Sequence, residues 1–431
     1  MAEFKPILLT LPSLTPSLAV EVLPHGLTLH RVFVQADGRT HDIVIGPESP
    51  SDHVTQKYTN TIVGRYSNRI PVKTHTLERH GITSEFVAQA NENPKVSLHG
   101  GPKGFDAVPW TLLTPENPPT LFSQAEIAAI SASSTGSSQA VFRLESSDGD
   151  QGYPGKLILE ALVALIAPGD QQRIYQAAGE SATPHEHYDL GSIVLVYRAK
   201  LDEGEKKVVT PVNLTQHWGF NLDASLKEGS DPLSVKDHTL SIKADRISEL
   251  DEIALPTGSF ISTTTADSPH AHDAKRIGDK FPEKGYDDYY AFTAAAAPNI
   301  PSRIPLNSFT PESDLLKDLL KGTRTDTLVE LSSAKSGLKL LFDSNQHGVM
   351  FYSNNLAKAT NGARKKIHGG SGISGNGDAY APGTAVFLEF HNALAAFLDP
   401  KNKDAEDTLL TSDELYHNYV RVDVKFKEPR L

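Results

Sequence analysis

Short apolar runs separated by turn-forming residues set the pattern of this chain from its first residues. Residues 7–9, 18–23, 27–34 and 43–45 are apolar or alternating, and Pro24-His25-Gly26 and Ala36-Asp37-Gly38 interrupt them. Glycine and aspartate at such breaks supply the backbone angles of tight β connections, so the segment predicts hairpins. The same texture recurs at 156–167, 192–197, 207–212, 239–242, 337–343, 349–352, 385–390 and 419–426. Helix signals are few: one over 311–320, where Thr310 and Ser313 offer capping oxygens, and a turn over 123–132. Many strands joined by Gly and Pro turns predict an all-β fold, a large antiparallel β-sandwich with few short helices. Turn spacing is irregular, which argues against a propeller or solenoid. No linker divides the chain, so residues 1–431 are expected to form a single domain. Segments 114–139, 179–187, 263–284 and 357–382 read as surface loops inserted into it.

Composition narrows the partners more than the fold. The net charge of −12 argues against nucleic acid, whose phosphates require clustered Lys and Arg. The basic run Arg364-Lys365-Lys366 reads as a solvated surface. No run approaches the ~18 apolar residues of a membrane helix, and residues 1–6 lack the pattern of a secretory signal, so no membrane partner and a cytoplasmic location are expected. The absence of cysteine excludes disulfides and thiolate chemistry. A neutral small molecule suits this balance best.

Candidate chemistry centres on Thr210 to Asp223, where His217 follows a valine-rich strand and precedes Trp218-Gly219-Phe220-Asn221. The polar residues here favour a bend, which places His217 where a strand leaves a sheet, and an imidazole with an ordinary pKa near ~6.5 exchanges protons at neutral pH. A hydrogen-bonded structural histidine is the alternative for this stretch alone. Gly64-Arg65-Tyr66-Ser67-Asn68-Arg69 combines guanidinium forks with an amide, a set suited to vicinal hydroxyls, although surface ion pairs use the same residues. In Leu98-His99-Gly100-Gly101, glycines allow close backbone approach beside His99. Asp148-Gly149-Asp150 reads as a turn, since its spacing does not match a Ca²⁺ loop. Tyr286-Asp287-Asp288-Tyr289 sets carboxylates among aromatics, as sugar sites do. Glu389 stands out in the apolar run 385–390, where desolvation would make it a base.

Taken in order, Gly64 to Ile70, Leu98-His99-Gly100-Gly101 with Gly104-Phe105-Asp106, Gly152-Tyr153-Pro154-Gly155, Asn213 to His217 with Phe220-Asn221-Leu222, Pro256-Thr257-Gly258, Gly285-Tyr286-Asp287, Gln346 and Leu388-Glu389 resemble the aldose 1-epimerase (galactose mutarotase) family over roughly residues 60 to 400. The resemblance implies the galactose mutarotase-like supersandwich with no cofactor and no metal. It implies that His217 is the acid that protonates a pyranose ring oxygen and that Glu389 is the base at the anomeric hydroxyl. Asn68, Arg69, His99, Asp287 and Gln346 would bind the sugar. The expected partner is a free aldose such as glucose or galactose, bound by a monomer or weak dimer. Departures flank the acid and base: Trp218-Gly219 where the family commonly has Ser-Tyr, Asp288 where His is frequent, and Phe390-His391 after Glu389. Trp218 is expected to reshape the pocket, and Asp288 to add negative charge. The rival readings are a mutarotase of hexose phosphates, a non-catalytic sugar-binding protein on the same fold, and a glycosidase using Asp287 and Glu389 as its carboxylate pair.

Overall fold

The computed structural model describes all residues except 1, 134–138, 169–187, 228–232, 266, 297–299, 322–326, 403–405 and 429–431. The loop expected at 179–187 lies outside the described residues.

Two antiparallel sheets face each other across the main core. The first has ten strands and runs from Thr111–Leu112 through Leu157–Ile166, Tyr188–Leu201, Glu414–Phe426 and Leu338–Ser344 to Lys275–Arg276. The second has six, in the order Gly219–Phe220, Val386–His391, Gly348–Tyr352, Asp287–Phe292, Ala244–Leu250 and Pro256–Ser262. A four-stranded meander over Ile7–Thr10, Leu18–Leu23, Thr28–Ala36 and Arg39–Asp42 adds to the same core. Most strands fall where the apolar runs predict them; residues 43–45 contribute only a bridge from Val44 to Phe220.

Side-chain alternation explains why the large sheet is buried on both faces. In Leu157–Ile166, Leu157, Leu159, Ala161, Val163 and Leu165 enter the main core, while Leu162, Ala164 and Ile166 join a second cluster with Ile130, Leu316 and Leu319. The six-stranded sheet alternates differently. Val349, Phe351, Leu388 and Phe390 point into the core, and the residues between them form the opposite face, on which the site is built.

The helix signals require correction. Residues 311–320 form turns, because the Asp314 carboxylate accepts from the Leu316 and Lys317 amides and draws the backbone into a local turn. Among the described residues the α-helix is Gln124–Ser133, where the sequence signals a turn over 123–132, and it lies inside the segment read as a loop. A reciprocal capping box starts it: Ser123 N donates to Glu126 Oε2 (2.9 Å) and Glu126 N donates to Ser123 Oγ (3.1 Å). The basic run is also corrected. Lys365 is fully buried, with its ammonium donating to His30 O, Asp42 Oδ2 and Val44 O at 2.7–2.8 Å. This clasp holds the 357–382 segment against the N-terminal meander.

Glu126 also pairs bidentately with the buried Arg198, at 2.6 and 2.7 Å, and accepts from Leu315 N. Glu126→Ala strands that guanidinium in the interior. It is expected to cost about 3–5 kcal/mol in urea denaturation; an unchanged midpoint would contradict the pairing.

Candidate active site

The outer face of the six-stranded sheet carries two rows of side chains. Asp287, Tyr352 and Phe387 are register partners across three strands, and Tyr289, Met350 and Glu389 form the next row. Glu389 therefore sits on the central part of the sheet, backed by apolar residues and 2% exposed. His217 reaches it from a crossover. Thr215–Gln216 pairs with Ile62–Val63, Gly219–Phe220 joins the edge of the six-stranded sheet, and the histidine stands between the two pairings. Its backbone is clipped at both ends, His217 N donating to Thr61 O (2.9 Å) and His217 O accepting from Asn60 N (2.8 Å).

The two side chains meet. His217 Nε2 lies 3.1 Å from Glu389 Oε1. Burial pushes the imidazole pKa down, but the Glu389 charge and hydrogen bond outweigh it and hold His217 above its ordinary value. Burial likewise pushes Glu389 up, and His217 brings it below the usual carboxylate range. Each partner thus favours the charged form of the other. Glu389 Oε2 has no protein partner, which leaves its lone pairs for another hydroxyl.

His99 stands edge-on to His217, with ring centroids 5.4 Å apart. Its Nδ1 accepts from Asn68 N (3.2 Å), which leaves the proton on Nε2. Burial and the neighbouring His217 lower its pKa to about 3, so His99 is a neutral donor. The close approach needs Gly100: a Cβ there would lie 1.9 Å from the Gly64 carbonyl oxygen. Asn68 accepts from Arg69 N through Oδ1 and approaches Met350 Sδ at 3.7 Å. Arg69 extends along the wall, and Asp287 has its pKa raised to about 6 by burial, against the lowering pull of Arg69. These groups line one cavity of about 780 Å³, together with Tyr58, Tyr352, Phe387 and part of segment 354–380.

The sequence-predicted residues Asn68, Arg69, His99, His217, Asp287 and Glu389 all reach this cavity. Gln346 does not. It is wholly buried between the sheets, where its Nε2 donates to Tyr197 OH at 2.7 Å. Trp218 faces the core and leaves the pocket's shape alone, and Asp288 projects from the opposite face beside His270, so its charge lies outside the cavity. Arg65 is structural, donating to Ser146 Oγ and to the Ser146, Ser147 and Pro154 carbonyls.

The comparisons with known proteins agree on family and fold. The family model described as Aldose 1-epimerase matches residues 13–184 and 188–389, from before Asn68 to Glu389 itself. The chain belongs to the aldose 1-epimerase family. It is 31% identical to the galactose mutarotase of Bos taurus over 247 residues, 57% of this chain and 55% of that protein. It is 27% identical to the aldose 1-epimerase of Escherichia coli (strain K12) over 286 residues, 64% of this chain and 66% of that one. The chain thus spans about half to two thirds of the length of these relatives. In fold it is similar to a solved aldose epimerase homologue from C. elegans (TM-score 0.65, 19% identity, covering 98% of this chain and 99% of that one). A galactose 1-epimerase from Lactobacillus acidophilus NCFM is also similar (TM-score 0.61, 17% identity, 98% and 99%).

Within this family member, several cavity residues escape the motifs. Tyr58 packs on His99 (4.7 Å between centroids) and covers His217 (6.4 Å), while Phe387 flanks His217 at 4.8 Å. Tyr58 sits at φ +65°, before Asn60 at +62°, in a turn whose amide holds the His217 carbonyl. Glu92 grips Arg69 from a surface turn. Aromatic residues near a histidine were the only available signal for Tyr58 and Phe387; Glu92 had none. Ligand atoms of His99, His217 and Glu389 lie within 4.8 Å of one another, the spacing of a metal triad. With its Nδ1 accepting from Asn68 N, His99 presents its Nε2–H beside the His217 imidazole and the Glu389 carboxylate, a set of donors and acceptors that suits a polyol.

The raised pKa of Asp287 makes a stability prediction. Its folded pKa lies above its unfolded value, so its favourable contribution is complete below pH about 4 and is lost as pH rises through about 6. Asp287→Asn should therefore raise the thermal midpoint at pH 8 and change it little at pH 4. Equal shifts at both pH values would contradict the assignment.

Proposed function

We propose that this protein is an aldose 1-epimerase, a mutarotase that interconverts the α and β anomers of a free hexose such as glucose or galactose. One observation carries the reading: an imidazole and a carboxylate in contact at 3.1 Å on the floor of a polar cavity. Pyranose ring opening involves two oxygens bonded to the same carbon, so its acid and base must be neighbours. Glu389 takes the proton of the anomeric hydroxyl while His217 Nε2–H delivers one to the ring oxygen. The bond from C1 to the ring oxygen breaks and the C1 carbonyl forms. Rotation about C1–C2 presents the other carbonyl face, and reclosure returns both protons, so the protein ends unchanged. His99 Nε2–H, Asn68, Arg69 and Asp287 bind the remaining hydroxyls, and Tyr58 and Phe387 offer ring faces to C–H surfaces. Each proton transfer typically contributes ~10²- to 10⁴-fold.

Residues 1–431 act in this reading as one sugar-binding unit, a cytoplasmic monomer or weak dimer. Among the described residues no helix is long and apolar enough to cross a membrane. A hexose phosphate is the second reading, because Lys57 and Lys358 also line the cavity. It loses the support of the basic run, since Lys365 is consumed by Asp42 and Arg364 donates to the Gly369 carbonyl.

Polarimetry of freshly dissolved α-glucose and α-galactose tests the proposal. Wild type should accelerate the approach to equilibrium, and Glu389→Gln and His217→Asn should each lose about 10²- to 10⁴-fold. Binding of either sugar without acceleration would support the silent sugar-binding protein instead. Acceleration confined to glucose 6-phosphate would support the second reading.

A further inference from the structure

Arg69 enters the cavity with its best hydrogen-bonding edge already taken. Arg69 Nε donates to Glu92 Oε2 at 2.7 Å and Nη2 donates to Glu92 Oε1 at 2.8 Å, a fork-to-fork pair. Both residues line the cavity, and both are partly shielded, their side chains 10% and 29% exposed. The pair is fixed at both ends. Arg69–Pro71 is a strand paired with Val96–Leu98, Arg69 standing opposite Leu98. The turn carrying Glu92 is stapled to that strand by Asn91, whose side chain accepts from Leu98 N (2.6 Å) and donates to Leu98 O (2.9 Å). Glu92 thus swings from the far end of the Val96–Leu98 strand back onto the guanidinium of its neighbour.

This pairing changes what Arg69 can recognise. A free guanidinium in a sheltered cavity is a strong site for a carboxylate or phosphate, because its planar fork matches two oxygens at once. With Nε and Nη2 spent on Glu92, the end-on edge of the guanidinium keeps the Nη1 hydrogens and one on Nη2, but the Glu92 carboxylate already neutralises its charge, so that edge suits hydroxyl oxygens better than a second anion. An anion approaching here would also meet three carboxylates of the same wall, Glu92, Asp287 and Glu389. Lys57 provides little relief, since its ammonium donates to the Pro102 carbonyl at 3.2 Å. Lys358 remains as a cation on the wall formed by segment 354–380.

The geometry points to Glu92 as a specificity-determining residue that occupies the Arg69 fork and so restricts the site to neutral aldoses, excluding sugars with a carboxylate near that fork. The inference rests on the proposed mutarotase reading. The probes are D-glucose and D-glucuronate, which differ at C6 by a carboxylate. Wild type should favour glucose in kcat/KM. In Glu92→Gln the ratio of glucose to glucuronate should fall by at least about tenfold, the size of one charge-assisted hydrogen bond, mainly through a lower KM for glucuronate. Glu92→Ala should move the ratio in the same direction, which keeps the test valid if the glutamine variant folds poorly. A purely structural role would raise KM for both sugars and leave the ratio unchanged, overturning the inference; so would a wild type that turns over glucuronate as well as glucose. If no variant accelerates mutarotation of either sugar, the mutarotase reading itself fails. The ratio of the two dissociation constants, measured by calorimetry, then decides the filter: a tenfold shift in Glu92→Gln upholds it and an unchanged ratio removes it.

Discussion

A buried ion pair is an expensive thing to keep, and the contact between His217 and Glu389 sets the terms for the structure around it. Desolvating each charge costs several kcal/mol, and the attraction between them repays that cost only when their geometry is held. Neither residue can drift. Glu389 is fixed by strand register, with Met350 opposite it and core residues Leu388 and Phe390 on either side. His217 is fixed by backbone bonds to Asn60 and Thr61, and its ring is walled by Phe387, Tyr58 and His99. Apolar residues in these two positions would make a more stable sheet face. A matched acid and base retained there, on the floor of a polar cavity, is what proton transfer requires.

The scaffold supplies a paired sheet on one side of the site and irregular chain on the other. The ten-stranded sheet is buried on both faces and backs the core face of the six-stranded one, so the rows that carry Asp287 and Glu389 have little freedom to move. The remaining walls come from irregular chain: the turn carrying Tyr58 and Asn60, the turn carrying Glu92, and segment 354–380. Each is tied down by polar contacts. Asn60 donates to Ile45 O and accepts from Gly219 N, Asn91 brackets Leu98, and Lys365 is sunk among His30, Asp42 and Val44.

How far the sequence revealed this follows from which interactions are local. Strands were legible because alternation and Gly or Pro turns are local signals, and six of the residues that meet in the cavity were legible because they stand in short motifs in a fixed order. Partnerships between distant segments left no such trace. Nothing near Arg69 in sequence indicates that Glu92 would fold back onto it, and nothing in Arg364-Lys365-Lys366 separates the buried middle lysine from its neighbours. Gln346 was placed in the site by its motif, but it lies in the turn between Leu338–Ser344 and Gly348–Tyr352, where its Nε2 donates to Tyr197 OH. Trp218 was read as a pocket residue because it follows His217, yet adjacent residues of an extended segment face opposite ways, and it packs in the core. The turn read over 123–132 is the helix Gln124–Ser133, and the capping-box signature Ser123-Gln124-Ala125-Glu126 was the local signal for its start.

The central claim is that His217 is held protonated by Glu389 inside the protein. Nitrogen-15 NMR of histidine-labelled protein measures this directly, because imidazolium and the two neutral tautomers have distinct shifts. The account predicts that the His217 resonances report imidazolium at pH 7, titrate above the ordinary histidine range, and fall below it when Glu389 is replaced by glutamine, where burial is no longer opposed. A neutral His217 at pH 7 in the wild type, or a titration unmoved by Glu389→Gln, would contradict it.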